Sequence, residues 1–377
     1  MRTCYLHIGM PKTGTMSIQA SLGRATSLGG KFKYIVLDKQ VNCSAALLEI
    51  FAGEVPQREQ ELRTGWTPEQ GLANRNRLLA QLHSSFDDQH EVFILSGERL
   101  HNLTVPQLKE LRKALSRHVD QVKVLAYVRG AASWIESAFQ QRLKTGSPAN
   151  FNNLRNVLPK YQAKFLRFDR AFDRENVVLW PFNPAEFPGK DVVLDFCHRL
   201  AIPFDASRVI IDNEGVSVDG LALLYLYRRL AKQGKLSPQD KLDVRLLTRQ
   251  LRDIEGDKMR LSPSVLKPYL ELTAADMAWM EERLGSSISA LPPERPGALR
   301  TEADLLQLTP RALNWLQRTL GDALPDSPTH EQVVAAMDIW LAGLRSKAAR
   351  AGAAGGQPAA KTARANRLAA ARATPKA

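Results

Sequence analysis

The chain has 377 residues, 44% of them hydrophobic and 24% charged, with a formal net charge of +13. That is enough apolar material for a sizeable core, in one large α/β domain with additions or in two domains. No apolar run reaches the roughly eighteen residues of a membrane-spanning helix, and Cys4, Cys43 and Cys197 are too few and too scattered for a disulfide framework or a zinc site. A reducing, cytoplasmic setting is expected, with each thiol a small core residue. The first strand begins so near Met1 that no secretory leader is expected.

Thr3–Ile8 reads as a short buried strand and Ser17–Leu22 as the start of a helix. Lys31–Leu37 reads as a second strand and Ser44–Phe51 as a short helix, whereas Val55–Gln70 is polar and irregular. Leu72–Phe86 has helical spacing, and Val92–Leu95 is a compact apolar strand. Val105–Leu115 is an amphipathic helix with Thr104 as its N-cap and Pro106 in its first turn. Val122–Val128 is the next strand, and Ala131–Lys144 the helix after it. Leu154–Phe172 is helical apart from Pro159, Val177–Trp180 is a last strand, and Asp191–Leu200 a helix. Strands alternating with helices predict an α/β fold with a parallel sheet covered on both faces.

From Val218 only helices are expected: Leu221–Leu230, Lys241–Ile254, Ala274–Leu284, Ala303–Thr319 and Gln332–Leu344. They carry no motif tied to chemistry, and packing is their simplest role. From about Ala348 the chain is Ala, Gly, Lys and Arg with almost no large apolar residue. Such a segment buries no core and is expected to be disordered. Counted from Ser346, the tail's seven basic residues, with no acid, supply more than half of the net charge. They suit anionic surfaces in general, and a solvated tail with no dedicated partner is the simpler reading.

Three stretches carry chemistry. The first, Gly9-Met10-Pro11-Lys12-Thr13-Gly14-Thr15-Met16-Ser17, joins a strand to a helix. Loop amides and the positive end of a helix dipole there suit an anion. Gly14 permits close backbone approach, Lys12 adds a point charge, and Thr13, Thr15 and Ser17 add hydroxyls. This is not the usual nucleoside-triphosphate loop, where the lysine directly follows the second glycine. In the second stretch, Arg129 ends the strand Val122–Val128, and Ser137 follows eight residues later on the next helix. An arginine grips a phosphate through two parallel hydrogen bonds, and a serine hydroxyl adds another. A third group, Ser96-Gly97-Glu98-Arg99-Leu100-His101, follows the strand Val92–Leu95. All three fall beyond the carboxyl ends of strands, where open parallel sheets bind ligands.

The order Pro11-Lys12-Thr13-Gly14-Thr15, within Leu6 to Gln19, resembles the 5′-phosphosulfate loop of sulfotransferases that use 3′-phosphoadenosine-5′-phosphosulfate (PAPS), in particular a branch common in bacteria. Arg129, Ser137 and the neighbouring Trp134–Gln141 resemble that family's 3′-phosphate site. The resemblance is specific over Arg2–Ser21 and Val122–Gly146, and diffuse to about Leu284.

The resemblance implies a three-layer, P-loop-like sulfotransferase domain over residues 1–290, with a helical extension at 291–347 and a disordered tail at 348–377. It implies that Lys12, Thr13, Gly14, Thr15, Met16 and Ser17 hold the 5′ side of PAPS, while Arg129 and Ser137 hold its 3′-phosphate. A sulfuryl group then passes to an acceptor hydroxyl, on family analogy that of a carbohydrate or glycolipid. Lys12 offsets developing charge, and Glu98, whose Ser96-Gly97-Glu98 resembles the Ser-Ser-Glu of relatives, takes the proton. His101 is the second candidate base, and His7, inside the first strand, reads as a core or supporting residue. No metal is implied. Met16 stands where many relatives have a threonine, and the basic glycine-containing loop of some relatives has no match, leaving Arg260 to stand in. A nucleotide-dependent kinase and a non-catalytic nucleotide-binding protein are the alternative readings.

Overall fold

The computed structural model describes residues 1–25, 27–53, 65–210, 215–231, 236–321 and 324–354, without the side chains of 347–354. Five parallel strands form one sheet in the order β2-β3-β1-β4-β5: β1 (Thr3–His7), β2 (Phe32–Tyr34), β3 (Val92–Ser96), β4 (Gln121–Val128) and β5 (Val177–Pro181). β1, β3, β4 and β5 are short and mainly apolar, as expected for strands buried on both faces, whereas β2 is Phe32-Lys33-Tyr34. The central strand β1 pairs His7 with Ser96 on one side and with Leu125 on the other. Ile8 N–H donates to Leu125 at 3.0 Å, and Gly97 N–H donates to His7 at 2.9 Å, so the exits of β1 and β3 are fixed along one edge.

Helices cover both faces. On one, α1 (Thr15–Gly23) packs beside α7 (Val192–Arg199). Ile18 and Leu22 of α1, Val193 and Phe196 of α7, and Phe32, Ile94, Leu125 and Tyr127 of the sheet form a buried core there. In chain order the remaining early helices are α2 (Ser44–Ala52), α3 (Pro68–Ser84), α4 (Val105–Leu115), α5 (Ala131–Thr145) and α6 (Tyr161–Phe172). Of these, α6 packs against α4, β4 and β5. The single long helix expected at Leu154–Phe172 is divided. A 3-10 turn at Arg155–Val157 precedes α6, because the extended residue Leu158 before Pro159 stops a helix.

Two compact units emerge from the packing. The first comprises Met1–Phe139, Asn153–Glu214 and Arg260–Arg300, and holds the sheet. It includes α10 (Pro263–Leu272), a helix the sequence reading did not place, and α11 (Ala274–Leu284). The second comprises Gln140–Asn152, Gly215–Met259 and the chain from Thr301. The expected boundaries at 290 and 347 run in simple chain order, whereas this grouping draws 215–259 in with the last helices and places a boundary inside α5.

Within the second unit α8 (Val218–Leu230) is buried almost all round. Around it lie α9 (Pro238–Gln250), α12 (Glu302–Leu306), α13 (Pro310–Leu320) and α14 (His330–Ala354). Arg345 pairs with buried Asp243 at 2.7 Å, and Tyr227 donates to Asp338 at 2.7 Å. The helix expected at Ala303–Thr319 is two, because Thr309 is extended before Pro310 and caps α13 instead. Helix α14 continues past the expected boundary at 347, and the rest of the expected disordered tail, like 55–64 of the expected irregular stretch, lies outside the described residues. Among the described residues no helix is long and apolar enough to cross a membrane.

Beneath the exit of β1, His7 is fully buried, its Nδ1 2.9 Å from Ser96 Oγ, which also accepts from Gln19 at 3.0 Å. These three residues tie β1, β3 and α1 together. Burial holds the imidazole near a pKa of about 4, against 6.5 in an exposed chain. The folded state therefore binds fewer protons than the unfolded chain. The resulting stabilisation is complete above pH 6.5 and is lost as the pH falls toward 4, by on the order of 3 kcal/mol. Urea midpoints measured from about pH 7 down to about pH 4.5 are expected to fall more steeply for the wild type than for His7→Gln. Parallel profiles would show that His7 is not buried neutral.

Candidate active site

The loop after β1 is shaped by backbone that turns left-handed at Gly9 (φ 52°), Lys12 (φ 71°) and Gly14 (φ 74°). Two of these positions also leave no room for a side chain. A Cβ on Gly9 would lie 2.5 Å from Thr15 Oγ1, and one on Gly14 would lie 2.4 Å from Val192 Cγ1. Gly14 is the N-cap of α1 and supplies no side-chain cap. The first intrahelical bond runs from Ile18 N–H to the Gly14 carbonyl, so the amides of Thr15, Met16 and Ser17 precede it at the helix mouth.

The hydroxyls divide in their roles. Thr13 is buried and donates to the Met10 carbonyl at 2.6 Å, so its hydroxyl braces the loop. Thr15 Oγ1 is buried and, among the described residues, has no hydrogen-bond partner. An unsatisfied hydroxyl at an uncapped helix start is what an oxyanion would complete. Met16 is 41% exposed.

Arg129, at the exit of β4, meets this loop directly. Its Nη1 donates to the Lys12 carbonyl at 2.8 Å, and its amide lies 3.5 Å from Met10 Sδ. That hydrogen bond braces Lys12 in a conformation that costs a non-glycine residue about 1 kcal/mol. The Arg129 carbonyl accepts from Tyr161 Oη at 2.6 Å, so the start of α6 fixes the same strand exit. The guanidinium also lies over the Phe182 ring, 5.8 Å from its centroid.

The serine beside Arg129 is Ser133, whose Oγ accepts from Nε at 3.0 Å. Ser137 sits one turn further along α5, half-buried, and does not line the cavity that Arg129 and Ser133 open onto. That cavity has a volume of about 520 Å³ and is walled also by Glu136, Phe182, Arg260 and Arg295. Buried Glu136 accepts from Arg260 Nη1 and from the Leu261 amide, both at 2.9 Å. One carboxylate thus fixes both the arginine and its backbone at the wall. The sequence reading singled out Arg260 but missed Glu136 and Arg295.

Glu98 follows β3 at the same edge and is half-buried. Burial raises its carboxyl above the usual range, while the charges of Lys12 and then Arg99 pull it back. His101 lies beside it, its Nδ1 2.9 Å from the Glu98 carbonyl oxygen. A carbonyl only accepts, so Nδ1 carries the hydrogen and Nε2 presents the lone pair. Burial, then Lys164, Arg167 and Arg99, lower the imidazole's proton affinity, against the bond to Glu98. Two proton acceptors therefore stand at one edge, and the charge of Lys12 acts on the first of them. Among the described residues no three His, Cys, Asp or Glu side chains gather as a metal site.

No protein-family model matches the chain. Over 179 residues it is 27% identical to an uncharacterized protein of Archaeoglobus fulgidus, covering 48% of this chain and 47% of that one. The chain thus spans about half the length of the curated relative it matches. Among solved structures it is similar to a sulfotransferase from Alicyclobacillus acidocaldarius, with a TM-score of 0.40, 14% identity, and coverage of 77% of this chain and 99% of the other. It is also similar to the sulfotransferase domain of the Synechococcus PCC 7002 olefin synthase, with a TM-score of 0.32, 13% identity, and coverage of 73% and 94%. A third, the sulfotransferase domain from the curacin biosynthetic pathway, has a TM-score of 0.31, 13% identity, and coverage of 73% and 98%.

The crowding at Gly14 yields a test of the loop. Gly14→Ala forces a Cβ against Val192 in a left-handed conformation and is expected to cost about 1–3 kcal/mol by urea denaturation. Adding Val192→Ala should return part of that loss, because the clash is removed while the backbone strain stays. A Gly14→Ala protein as stable as the wild type would show that the loop does not adopt this shape.

Proposed function

We propose that the protein is a sulfotransferase that moves a sulfuryl group from PAPS to an acceptor hydroxyl. The observation that carries this reading is the hydrogen bond from Arg129 to the Lys12 carbonyl, which joins the two phosphate-suited strand exits at one sheet edge. A single bisphosphorylated adenosine then reaches both. The uncapped start of α1, the open Thr15 hydroxyl and Lys12 suit its 5′ side. The cavity lined by Arg129, Ser133, Arg260 and Arg295 suits its 3′-phosphate and base.

In the reaction, the acceptor oxygen forms a bond to sulfur while the bond from sulfur to the 5′-phosphate oxygen breaks, and that oxygen keeps the electron pair. Lys12 lies where negative charge grows on the leaving oxygen, and such placement is commonly a large share of catalysis. Glu98 takes the hydroxyl proton as general base. Its carboxylate has no hydrogen-bond partner among the described residues and is made more basic by burial.

Calorimetry with 3′-phosphoadenosine-5′-phosphate (PAP) tests the donor site. Lys12→Ala and Arg129→Ala should each weaken binding by on the order of a hundredfold, and wild-type affinity in both would overturn the reading. Glu98→Gln should keep PAP affinity and lower turnover of radiolabelled PAPS by about two to four orders of magnitude. In the wild type, turnover should fall as the pH drops through a value above the ordinary carboxylate range, because a raised carboxyl takes up its proton early. Burial moves Glu98 up and His101 down, so the substitution rather than the pH profile separates the two bases. Unchanged turnover in Glu98→Gln would assign the role to His101.

A further inference from the structure

Beside Glu98 and His101 stands a group of cations that the donor site does not use. Lys164 of α6 is held over the face of Trp134, its Nζ 4.2 Å from the ring centroid. Trp134 is itself fixed, its Nε1 donating to the Val157 carbonyl at 2.9 Å. Arg167 lies on the same face of α6 one turn later. It is satisfied by carbonyls alone, at His101 (2.5 Å), Leu103 (3.2 Å) and Ala163 (3.1 Å). Arg99 is exposed two residues before His101. Among the described residues none of these three cations forms an ion pair with a carboxylate.

The nearby acids are already committed. Asp169, the one acid within α6, pairs with Arg283 at 2.7 Å. Asp276 accepts the Tyr161 and Gln162 amides, each at 2.8 Å. Removing a lysine from water without an acid partner is costly. That cost appears in the Lys164 amine, which burial lowers to about 8 even though Asp276 pulls it up. Positive charge held in this way, beside His101 and without a paired carboxylate, favours an incoming anion.

We infer that the acceptor carries an oxyanion, as a carboxylate, phosphate ester or sulfate ester, close to the hydroxyl that is sulfated, and that Lys164, Arg167 and Arg99 receive it beside Glu98 and His101. This rests on the sulfotransferase reading of the donor loop. It narrows the acceptor from any alcohol to an anionic one. It also gives Lys164 a task that PAP binding does not need.

The test uses the full chain saturated with PAP and titrated calorimetrically with pairs matched except for charge. The pairs are glucuronate against glucose, glycerol 3-phosphate against glycerol, and glucose 6-sulfate against glucose. The anionic member of at least one pair should bind about tenfold or more tighter than its neutral partner, which is about 1.4 kcal/mol. The pair that responds identifies the oxyanion. Lys164→Met should abolish that preference with PAP affinity unchanged, and Lys164→Arg should restore it. The inference is overturned by neutral members binding as tightly in every pair, by no heat from any anionic member up to about 10 mM, or by a preference that survives Lys164→Met. A loss of PAP affinity in Lys164→Met would assign the lysine to the donor instead and overturn the inference too. Failure of the wild type to bind PAP is a different result, which removes the donor reading and this inference with it.

Discussion

The hydrogen bond between the Arg129 guanidinium and the Lys12 carbonyl spans 117 residues of sequence and makes two loops into one site. It depends on β1 and β4 being neighbours in parallel register, which puts both exits on one edge. It depends also on Lys12 turning left-handed, which aims that carbonyl at β4. Tyr161 closes the arrangement from the other side by holding the Arg129 carbonyl. Without that register, the phosphate-suited loop and the arginine cavity would be two unrelated features. With it, both are parts of one surface along the carboxyl ends of the strands, where a doubly wound sheet reverses direction.

Two arrangements of cationic side chains around this edge illustrate opposite electrostatic solutions. At the cavity wall, Glu136 meets Arg260 and the Leu261 amide, so the chain segment from Arg260 is anchored by a buried, satisfied carboxylate. Beside His101, by contrast, Lys164 and Arg167 are held by an aromatic face and by carbonyls instead of by an ion pair. The first arrangement fixes geometry, and the second sets a field. Satisfied networks rigidify, whereas an uncancelled field in a low-dielectric setting acts on whatever charge enters.

Most of the sheet was legible because β1, β3, β4 and β5 are short, mainly apolar runs between turn-forming residues. Val105–Leu115 and Ala274–Leu284 were legible because their ends carry recognisable signals, such as the Thr104 N–H donating to Gln107 at 2.8 Å. Helix α10 was missed because Pro268 lies inside it. The site was legible wherever chemistry follows backbone position, as at Gly14 and Arg129. It was not legible where a side chain chooses between local options. Ser133 and Ser137 share a helix face one turn apart, so spacing alone does not say which reaches the guanidinium. Thr13 turns inward to a carbonyl that only the folded loop presents. The Glu136–Arg260 contact joins residues 124 apart, and single-sequence reasoning has no signal for it.

The three thiols have a practical side. Cys4 lies in β1, Cys43 at the start of α2 and Cys197 in α7, and all three are buried, unbridged, and pushed up to about 12 by burial. Only a thiolate reacts with alkylating agents, so none of these sulfurs is available while its surroundings stay closed. Each is therefore a native chemical clock for one part of the same unit. The order in which a small iodoacetamide-type reagent marks the central strand, the α2 entry and the α7 layer would trace the sequence in which this sheet comes apart.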